Sequence, residues 1–312
     1  MKTVLVTGVN GFVGQYLATH LLEQGCRVLG VDQAMEPAVT GIEYTQCSIL
    51  DTDGLRALLR AASATQVYHL AAISYLPDAD ASPGFALETN IMGTVSLLEA
   101  VRTAASRATL LLVGSSKEYN TDLQSDAICE SVHPDPTSFY GVSKYAAELI
   151  GGQYRRQFGL DVRFTRSFNH TGPGQSPKFV CSDWACQVAR MALGREEPVM
   201  TVGDLDARID FSDVRDVVRA YRAIIEAGTP GGIYNVCSGS SVSLRFILDT
   251  LVAKGGREVE IRAAEGKLRA HRTSLKLAGD NTLLVEQTGW RPQIPFEQTL
   301  DDIYCWWLAH PG

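Results

Sequence analysis

The stretch Thr7-Gly8-Val9-Asn10-Gly11-Phe12-Val13-Gly14 follows a short apolar run and opens a helical pattern. Its glycines are spaced so that the backbone can approach a pyrophosphate and the helix can pack closely on the preceding strand. The first turn of such a helix presents N–H groups to phosphate oxygens. The stretch therefore predicts a strand–turn–helix unit that binds a dinucleotide, although a tight turn without a ligand is the simpler alternative.

Short apolar runs alternate with helical patterns on the C-terminal side of this turn. Strands are predicted at Thr3–Thr7, Arg27–Val31, Gln66–Leu70, Thr109–Val113 and Val162–Ser167, and helices at Val13–Gln24, Asp53–Ala61, Glu88–Ala104 and Tyr140–Phe158. Strongly apolar strands that alternate with helices indicate a parallel sheet covered on both faces. Because crossovers are right-handed, we expect an α/β fold with a Rossmann-type doubly wound parallel sheet.

The pattern becomes irregular after Ser167, where residues 171–177 form a cluster of Gly and Pro that breaks regular structure. Beyond it, helices are predicted at Ser182–Leu193 and Val214–Ala227, and a strand near Pro198–Val202. We expect a dinucleotide-binding domain at residues 1–168, joined by about 206–236. Residues 169–205 and 237–312 then form a smaller C-terminal substrate-binding lobe.

Composition narrows the classes of partner. The 312 residues carry a net charge of −7, whereas a general nucleic-acid binder needs surplus Lys and Arg. No apolar run approaches the roughly 18 residues of a membrane span, and the N-terminus leads directly into a strand, which predicts no signal peptide. The seven cysteines are scattered without a Cys-x-x-Cys motif, so we expect reduced thiols, a cytoplasmic protein and no metal.

Asp32 ends the second predicted strand, at the spacing expected for a carboxylate that binds the adenosine ribose hydroxyls. A carboxylate there repels a 2′-phosphate, so the sequence predicts NAD(H) in preference to NADP(H). The alternative is that Asp32 only caps the end of its strand.

Tyr140 and Lys144 are four residues apart on a predicted helix, so they lie on adjacent turns of one face. The positive charge of Lys144 is expected to lower the pKa of the Tyr140 phenol, which then exchanges a proton with a carbonyl or carbinol. Ser115 ends an apolar strand, where ligands bind in such sheets, and its hydroxyl is placed to hydrogen-bond the reacting oxygen. A serine satisfied by backbone groups is the alternative.

Together, the glycine turn, Ser115 and Tyr140-x-x-x-Lys144 resemble the extended short-chain dehydrogenases/reductases of the epimerase/dehydratase type, which act on nucleotide sugars. Residues 167–175, 210–217, 234–239 and 288–300 look most like the GDP-4-keto-6-deoxy-D-mannose reductase group of that family. The resemblance implies that Ser115 and Tyr140 contact the reacting oxygen and that Lys144 holds the nicotinamide ribose.

The resemblance also implies which residues surround each ligand. The cofactor site would comprise Gly8, Asn10, Gly11, Phe12, Val13, Gly14, Asp32, Ser48, Ile49, Leu70, Ala71, Ala72, Tyr140, Lys144 and His170. The substrate site would comprise Ser74, Ser115, Ser116, Asn169, Arg208 and Arg269. For His170, a buried histidine bonded to backbone is the alternative.

The chain departs from the family pattern at several positions. Dehydratases carry an acidic residue where this chain has Lys117, so 4,6-dehydration is not expected unless a local register shift brings in Glu118. The arginine that clamps the diphosphate is displaced by one residue to Arg208, and such a slip in a strand turns a side chain to the other face. Arg269 lacks its carboxylate partner, and it, Arg208 and Arg272 are alternatively solvated surface charges.

The resemblance implies an enzyme that uses NAD(P)H to reduce the 4-keto group of a nucleotide-linked 4-keto-6-deoxyhexose. A 4-epimerase with tightly bound NAD is the first alternative, and a catalytically silent cofactor-binding regulator is the second. A homodimer is expected through helices 88–104 and 140–158, because Leu97, Leu98, Ala147 and Ile150 make these helices apolar on more than one face.

Overall fold

The computed structural model of the protein describes residues 1–120, 125–263 and 276–311. The strands are β1 (Thr3–Thr7), β2 (Arg27–Asp32), β3 (Glu43–Gln46), β4 (Gln66–His69), β5 (Thr109–Ser115), β6 (Ser125–Ile128), β7 (Asp161–Ser167), β8 (Asn169–Thr171), β9 (Val199–Val202), β10 (Arg208–Asp213), β11 (Ile233–Val236), β12 (Ser241–Ser243), β13 (Glu260–Ala263) and β14 (Lys276–Gly279).

The helices are α1 (Phe12–Glu23), α2 (Thr52–Ala62), α3 (Leu76–Ala81), α4 (Pro83–Leu87), α5 (Gly93–Ala104), α6 (Phe139–Phe158), α7 (Val180–Ala192), α8 (Val214–Ala227), α9 (Leu244–Gly255), α10 (Thr282–Thr288) and α11 (Phe296–Ala309). A π-helical turn at Glu88–Met92 leads into α5, and a 3₁₀ turn at Ser116–Glu118 follows β5. No helix in the described part of the chain is both long enough and apolar enough to span a membrane.

Seven parallel strands form the large sheet in the order β11-β7-β5-β4-β1-β2-β3. The chain moves outward from β1 to β3 and then returns to β4 on the other side of β1. This reversal opens a crevice at the carboxyl ends of β1 and β4, where ligands bind in such sheets. The topology confirms the predicted Rossmann-type doubly wound sheet.

Apolar side chains cover both faces of this sheet. On one face, α1 and α8 bury Leu17, Leu21 and Ile224 against the strands. On the other face, α2 and α5 bury Leu59 and Leu97. Burial on both faces explains why the central strands read as continuous apolar runs in the sequence.

The C-terminal part of the chain forms a second sheet and a separate core. Strands β12, β10, β14 and β6 lie side by side, and β8 pairs with β10. Helices α7, α9 and α11 pack together around Trp184, Leu251 and Trp307. This second unit covers the side of the crevice that the large sheet leaves open.

The chain crosses between the two units more than once. Strand β11 is an edge strand of the large sheet and helix α8 packs on that sheet, whereas β10 pairs within the second sheet. Leu284 and Trp290 also join the core of the large sheet, and the Trp290 indole N–H donates to the Asp216 carbonyl at 3.0 Å. Part of the segment 237–312, expected in the lobe, therefore packs on the large sheet.

Candidate active site

A cavity of about 650 Å³ lies at the carboxyl ends of β1, β4 and β5, and the glycine turn forms one end of it. Gly8 has φ +71°, and a Cβ there would lie 2.8 Å from the Ala71 nitrogen. A Cβ on Gly14 would lie 2.2 Å from the Gly8 carbonyl oxygen, so only glycine lets α1 pack this closely. Gly11 starts α1 without a side-chain cap, which leaves the N–H groups of the first turn to bind phosphate oxygens.

Asp32 lines the same end of the cavity and also organises the surrounding backbone. Its Oδ2 accepts the Asn10 N–H at 3.0 Å, and its Oδ1 accepts the Gln33 N–H at 2.7 Å. The carboxylate therefore holds the glycine turn and the loop after β2 together. A capping role and a contact with ribose hydroxyls are both compatible with this position. The glycine turn and Asp32 fit the pyrophosphate and ribose of a dinucleotide.

The structure brings Ser115, Tyr140 and Lys144 together in the wall of this cavity. Ser115 is the last residue of β5, and the other two side chains project from the first turns of α6. The Lys144 ammonium donates to the Val113 carbonyl at 2.9 Å and lies 5.9 Å from the centre of the Tyr140 ring. All three side chains are less than a tenth exposed.

Burial governs the titration of this group. It raises the pKa of Tyr140 to about 12; the Ser115 hydroxyl opposes the rise and the Glu118 carboxylate adds to it. Burial also lowers the pKa of Lys144 to about 8, against the opposing charge of Glu118. The expectation that the pKa of Tyr140 is lowered is therefore wrong, because desolvation is the largest influence on this phenol and it raises the pKa. Tyr140 keeps its proton at neutral pH and is placed to donate it.

Glu118 lies behind Ser115 and supports it. Its Oε1 accepts the Ser115 backbone N–H at 2.7 Å, and the Lys117 N–H donates to the Ser115 Oγ at 3.2 Å. The Glu118 side chain is fully buried, and its Oε2 lies 3.6 Å from Arg166 Nε without a hydrogen bond. Arg166 is bonded instead to Glu148 at 2.7 Å. No register shift turns Glu118 into the cavity; Lys117 lines it.

The carboxyl groups of Glu118 and Glu148 thus both lie beside the buried guanidinium of Arg166. Burial is the main reason that the pKa of Glu118 is raised well above its usual range, and the charge of Glu148 adds to the shift. The Ser115 N–H and Arg166 act in the opposite direction. The physical result is a carboxyl group that is more easily protonated in the folded protein than in the unfolded chain.

Most of the residues predicted for the two ligands line the cavity. They are Gly8, Asn10, Gly11, Phe12, Val13, Gly14, Asp32, Ile49, Leu70, Ala71, Ala72, Ser74, Ser115, Ser116, Tyr140, Lys144, Asn169 and His170. The His170 Nδ1 also lies 2.9 Å from the Phe168 carbonyl oxygen, and burial lowers its pKa. His170 therefore lines the cavity, as the resemblance implies, and its ring also contacts the backbone, as the alternative predicts.

Two predicted residues that the structure describes, Ser48 and Arg208, do not line the cavity. Ser48 does not line it, and the Ser48 Oγ accepts the Leu50 N–H at 3.2 Å within its own turn. Arg208 is exposed and donates to the Ser241 carbonyl at 2.7 Å. Arg269, like Arg272, lies outside the described residues.

The position of Arg208 follows from the register of β10. Arg208 pairs with Ser243 and Ile209 with Val242 in a regular antiparallel ladder, without a bulge. Successive side chains therefore alternate, and Ile209 and Phe211 face the cavity while Arg208 does not. The one-residue displacement noted in the sequence thus places an isoleucine in the cavity wall.

Several cavity residues were not predicted from the sequence. Phe85, Thr89, Gln175, Phe179, Val180, Cys181, Phe211 and Tyr221 all line the cavity. They come from segments far apart in the chain. Gln175 and Phe211 lie in the stretches 167–175 and 210–217 that carry the family resemblance, and the others belong to no motif identified in the sequence. Asn90 supports the site without lining the cavity. Its Oδ1 accepts the Ile73 N–H at 2.8 Å and its Nδ2 donates to Ser143 Oγ at 2.9 Å, which ties the π-helical turn to α6. No metal-binding cluster of His, Cys, Asp or Glu occurs among the described residues.

Comparisons with known proteins extend over nearly the full chain. Residues 5–303 match the model of the family described as GDP-mannose 4,6 dehydratase. The chain is 33% identical over 308 residues to the GDP-6-deoxy-D-mannose reductase of Pseudomonas aeruginosa, covering 98% of this chain and 97% of that protein. It is 29% identical to the UDP-glucose 4-epimerase of Mycolicibacterium smegmatis, covering 94% of each. The structure of RMD from Pseudomonas aeruginosa complexed with NADPH superposes with a TM-score of 0.88 at 32% identity, covering 99% of this chain and 100% of that one.

The buried Glu118 carboxyl predicts a component of stability that depends on pH. Because its folded-state pKa is raised above the unfolded value of about 4.3, its contribution to stability is present at low pH and lost as pH rises through the raised pKa. Glu118→Gln keeps an oxygen for the Ser115 N–H but does not titrate. The free energy of unfolding is measured with urea at a series of pH values from about 4.3 upward. That of the wild type should fall relative to that of Glu118→Gln as the pH rises. Parallel curves for the two proteins would show that Glu118 does not titrate in this way.

Proposed function

We propose that this chain, which belongs to the GDP-mannose 4,6-dehydratase family, reduces the 4-keto group of a nucleotide-linked 4-keto-6-deoxyhexose. It is an NAD(P)-dependent enzyme of the extended short-chain dehydrogenase/reductase type. The observation that carries the proposal is the meeting of Ser115, Tyr140 and Lys144 in one cavity with the glycine turn. The full-length similarity to a GDP-6-deoxy-D-mannose reductase supports the direction and the class of substrate.

A bound reduced nicotinamide supplies the hydride. In our proposal, the chain's own groups handle the oxygen of the ketone, which gains negative charge as the carbon is reduced. The Ser115 hydroxyl donates a hydrogen bond to that oxygen, and the Tyr140 phenol transfers its proton there. Burial holds the pKa of Tyr140 at about 12, so the proton is present at neutral pH. Lys144, anchored on the Val113 carbonyl, holds the nicotinamide ribose and provides positive charge.

Two features of the cavity wall support reduction over dehydration, the reaction for which the family model is named. Dehydration requires a base in the cavity that removes a proton from carbon, and Lys117 occupies the position where an acidic residue would do so. Glu118, the neighbouring carboxyl, is directed to the Ser115 N–H and away from the cavity. Reduction needs neither group as a base.

A nucleotide-sugar 4-epimerase with tightly bound NAD is the second candidate, and the similarity to a UDP-glucose 4-epimerase favours it. It would use Ser115, Tyr140 and Lys144 first to oxidise and then to reduce the same carbon. Net oxidation of NADH by a keto sugar identifies a reductase, whereas turnover without net oxidation identifies the epimerase. The complete set of three residues argues against a catalytically silent regulator.

The proposed cofactor preference rests on Asp32. Its carboxylate lines the cavity at the glycine turn and would repel the 2′-phosphate of NADP(H). The related Pseudomonas aeruginosa structure contains NADPH, so the preference of this chain is argued from Asp32 and not from that relative. We propose that NAD(H) is preferred.

We propose the domain boundaries given by the sequence, with two refinements. Residues 1–168 and about 206–236 contribute the cofactor side, and residues 169–205 and 237–312 contribute the substrate side. Within 206–236, strand β10 is an exception, because it pairs with β8, β12 and β14 in the second sheet. Phe179 and Val180 support this division, since the lobe places them in the cavity wall. Leu284 and Trp290 pack on the large sheet, so the lobe segment includes a short return to the cofactor side.

We also propose a homodimer through residues 88–104 and 140–158. The four residues that suggested it are poor support, because Leu97, Leu98 and Ala147 are buried in the chain's own core and Ile150 packs against that core. Exposed apolar residues on the same two segments are better support: Met92, Val142 and Leu149 are 50%, 43% and 53% exposed. Val142 and Leu149 are two helical turns apart on α6 and share one face. A second copy of the chain would cover this face.

Tyr140→Phe should lower kcat by at least about a hundredfold, because proton transfer of this kind contributes about 10²–10⁴-fold. Binding of NADH should change little, since the phenol oxygen acts on the substrate. Steady-state kinetics and NADH fluorescence titration measure the two effects. Tyr145→Phe, on the same helix and outside the cavity wall, is the matched control. Full activity of Tyr140→Phe would remove this residue from the chemistry.

Asp32→Asn should narrow the ratio of kcat/KM for NADH over NADPH by about tenfold or more. The change removes the charge that repels the 2′-phosphate and keeps an oxygen that accepts backbone N–H groups. Initial rates with both cofactors in the wild type and the variant give the ratio. A wild-type enzyme that prefers NADPH would contradict the proposed preference.

Leu149→Glu should convert the dimer into a monomer, because a carboxylate cannot be buried unpaired in an apolar interface. Sedimentation velocity at micromolar concentration measures the change. Leu193→Glu is the control, since Leu193 is also exposed, at 45%, and follows α7 on the second unit. A wild-type protein that sediments only as a monomer would count against the proposed interface.

A further inference from the structure

Lys117 lies in the cavity wall two residues after Ser115, and its ammonium group has no hydrogen bond or ion pair with any described residue. Its backbone is fixed, since the Lys117 N–H donates to Ser115 Oγ at 3.2 Å. Burial lowers the pKa of Lys117, and no carboxylate of the described chain opposes this shift. The Lys117 side chain is half-buried, and partial loss of hydration makes an anionic partner favourable for a cation. Within the described residues, Lys117 is therefore a cationic side chain of the cavity wall without a polar partner of its own.

The other charged side chains of the cavity wall, Asp32 and Lys144, have partners. Asp32 accepts backbone N–H groups beside the glycine turn, and Lys144 donates to the Val113 carbonyl. The nearest carboxyl in the sequence, Glu118, is directed to the Ser115 N–H and Arg166. Lys117 is consequently the cation of the described cavity wall that has no such partner.

Strand β10, which forms another part of the cavity wall, contributes no cation to it. Ile209 and Phe211 face the cavity from β10, while Arg208 points elsewhere and bonds the Ser241 carbonyl. An arginine at position 209 would face the cavity, but the chain places isoleucine there. An anionic substrate that enters this cavity therefore meets apolar side chains on the β10 side and Lys117 on the β5 side.

We propose that Lys117 binds an anionic group of the substrate close to the reacting carbon. The inference rests on the proposed hydride chemistry, because Ser115 fixes where the reacting oxygen lies. Two groups of a nucleotide sugar have this chemistry: the diphosphate, which the proposed 4-keto-6-deoxyhexose substrate carries, and a carboxylate at C6, which would make the substrate a nucleotide-linked uronate in place of a 6-deoxy sugar. Lys117 then determines specificity, since a partly desolvated ammonium in the cavity wall disfavours a substrate that leaves it unpaired.

Calorimetric titration of the NADH-saturated enzyme tests the proposal. The probes are GDP, GDP-mannose, UDP, UDP-glucose and UDP-glucuronate, and the last two differ in one carboxylate. The proteins are wild type, Lys117→Met, Lys117→Arg and Lys2→Met. Lys2 is a surface lysine paired with Glu226, so its variant loses the same charge far from the cavity.

Lys117→Met should weaken binding by about tenfold or more, Lys117→Arg should retain most of the affinity, and Lys2→Met should bind as the wild type does. A loss with all of the nucleotides that bind identifies the diphosphate as the anion. A loss confined to UDP-glucuronate identifies the carboxylate. Dissociation constants within twofold for Lys117→Met and wild type, or no binding of any probe to the wild type, would overturn the inference.

Kinetics separate this inference from the proposed function. If the wild type oxidises NADH with a nucleotide-linked 4-keto sugar and Lys117→Met has the same KM and kcat, then the role of Lys117 is wrong and the reductase stands. If the wild type transfers no hydride to any such sugar, the reductase fails. The titrations still decide whether Lys117 binds an anion.

Discussion

The hydrogen bond from the Lys144 ammonium to the Val113 carbonyl joins the first turns of α6 to the end of β5. Ser115 lies two residues beyond Val113 on the strand, and Tyr140 lies one turn before Lys144 on the helix. One contact therefore sets the strand and the helix so that the two hydroxyl groups face one cavity. Glu118 holds the strand end from behind through the Ser115 N–H. The strand–helix junction therefore determines where Tyr140, the proton donor in the proposed reaction, lies in the cavity.

The same junction decides the protonation states of the site. Because the cavity wall excludes water, burial raises the pKa of Tyr140 and lowers that of Lys144, so both shifts favour the neutral form. The cation 5.9 Å from the tyrosine ring does not overcome this desolvation. A phenol that keeps its proton is suited to protonate an alkoxide, which is the step that reduction requires. The direction of catalysis that we propose thus follows from burial more than from the pairing of charges.

Local patterns in the sequence predicted the parts of the structure that local physics determines. The glycine turn, the strand before it and α1 lie where the spacing of Gly8, Gly11 and Gly14 placed them. Strand β3 was missed because Glu43–Gln46 is a short edge strand with no apolar run. The burial of Glu118 depends on Arg166 and Glu148, which are distant in the chain. Helical spacing showed that a charge lies near Tyr140, but it contains no information about desolvation.

The chain departs from the family pattern at two places in the cavity wall, on β10 and beside Ser115, and both affect how the cavity can hold an anion. A one-residue displacement on β10 places Ile209 where a family member would present an arginine, and Lys117 introduces a positive charge beside Ser115. In our proposal the cavity keeps a cation for an anionic substrate, and this cation lies two residues after Ser115 in the cavity wall. At that position the charge can also act on the oxygen that becomes negative during reduction, since electrostatic interactions strengthen where water is excluded. In our proposal, a change that alters substrate choice is thus coupled, through the same ammonium group, to the chemistry at Tyr140.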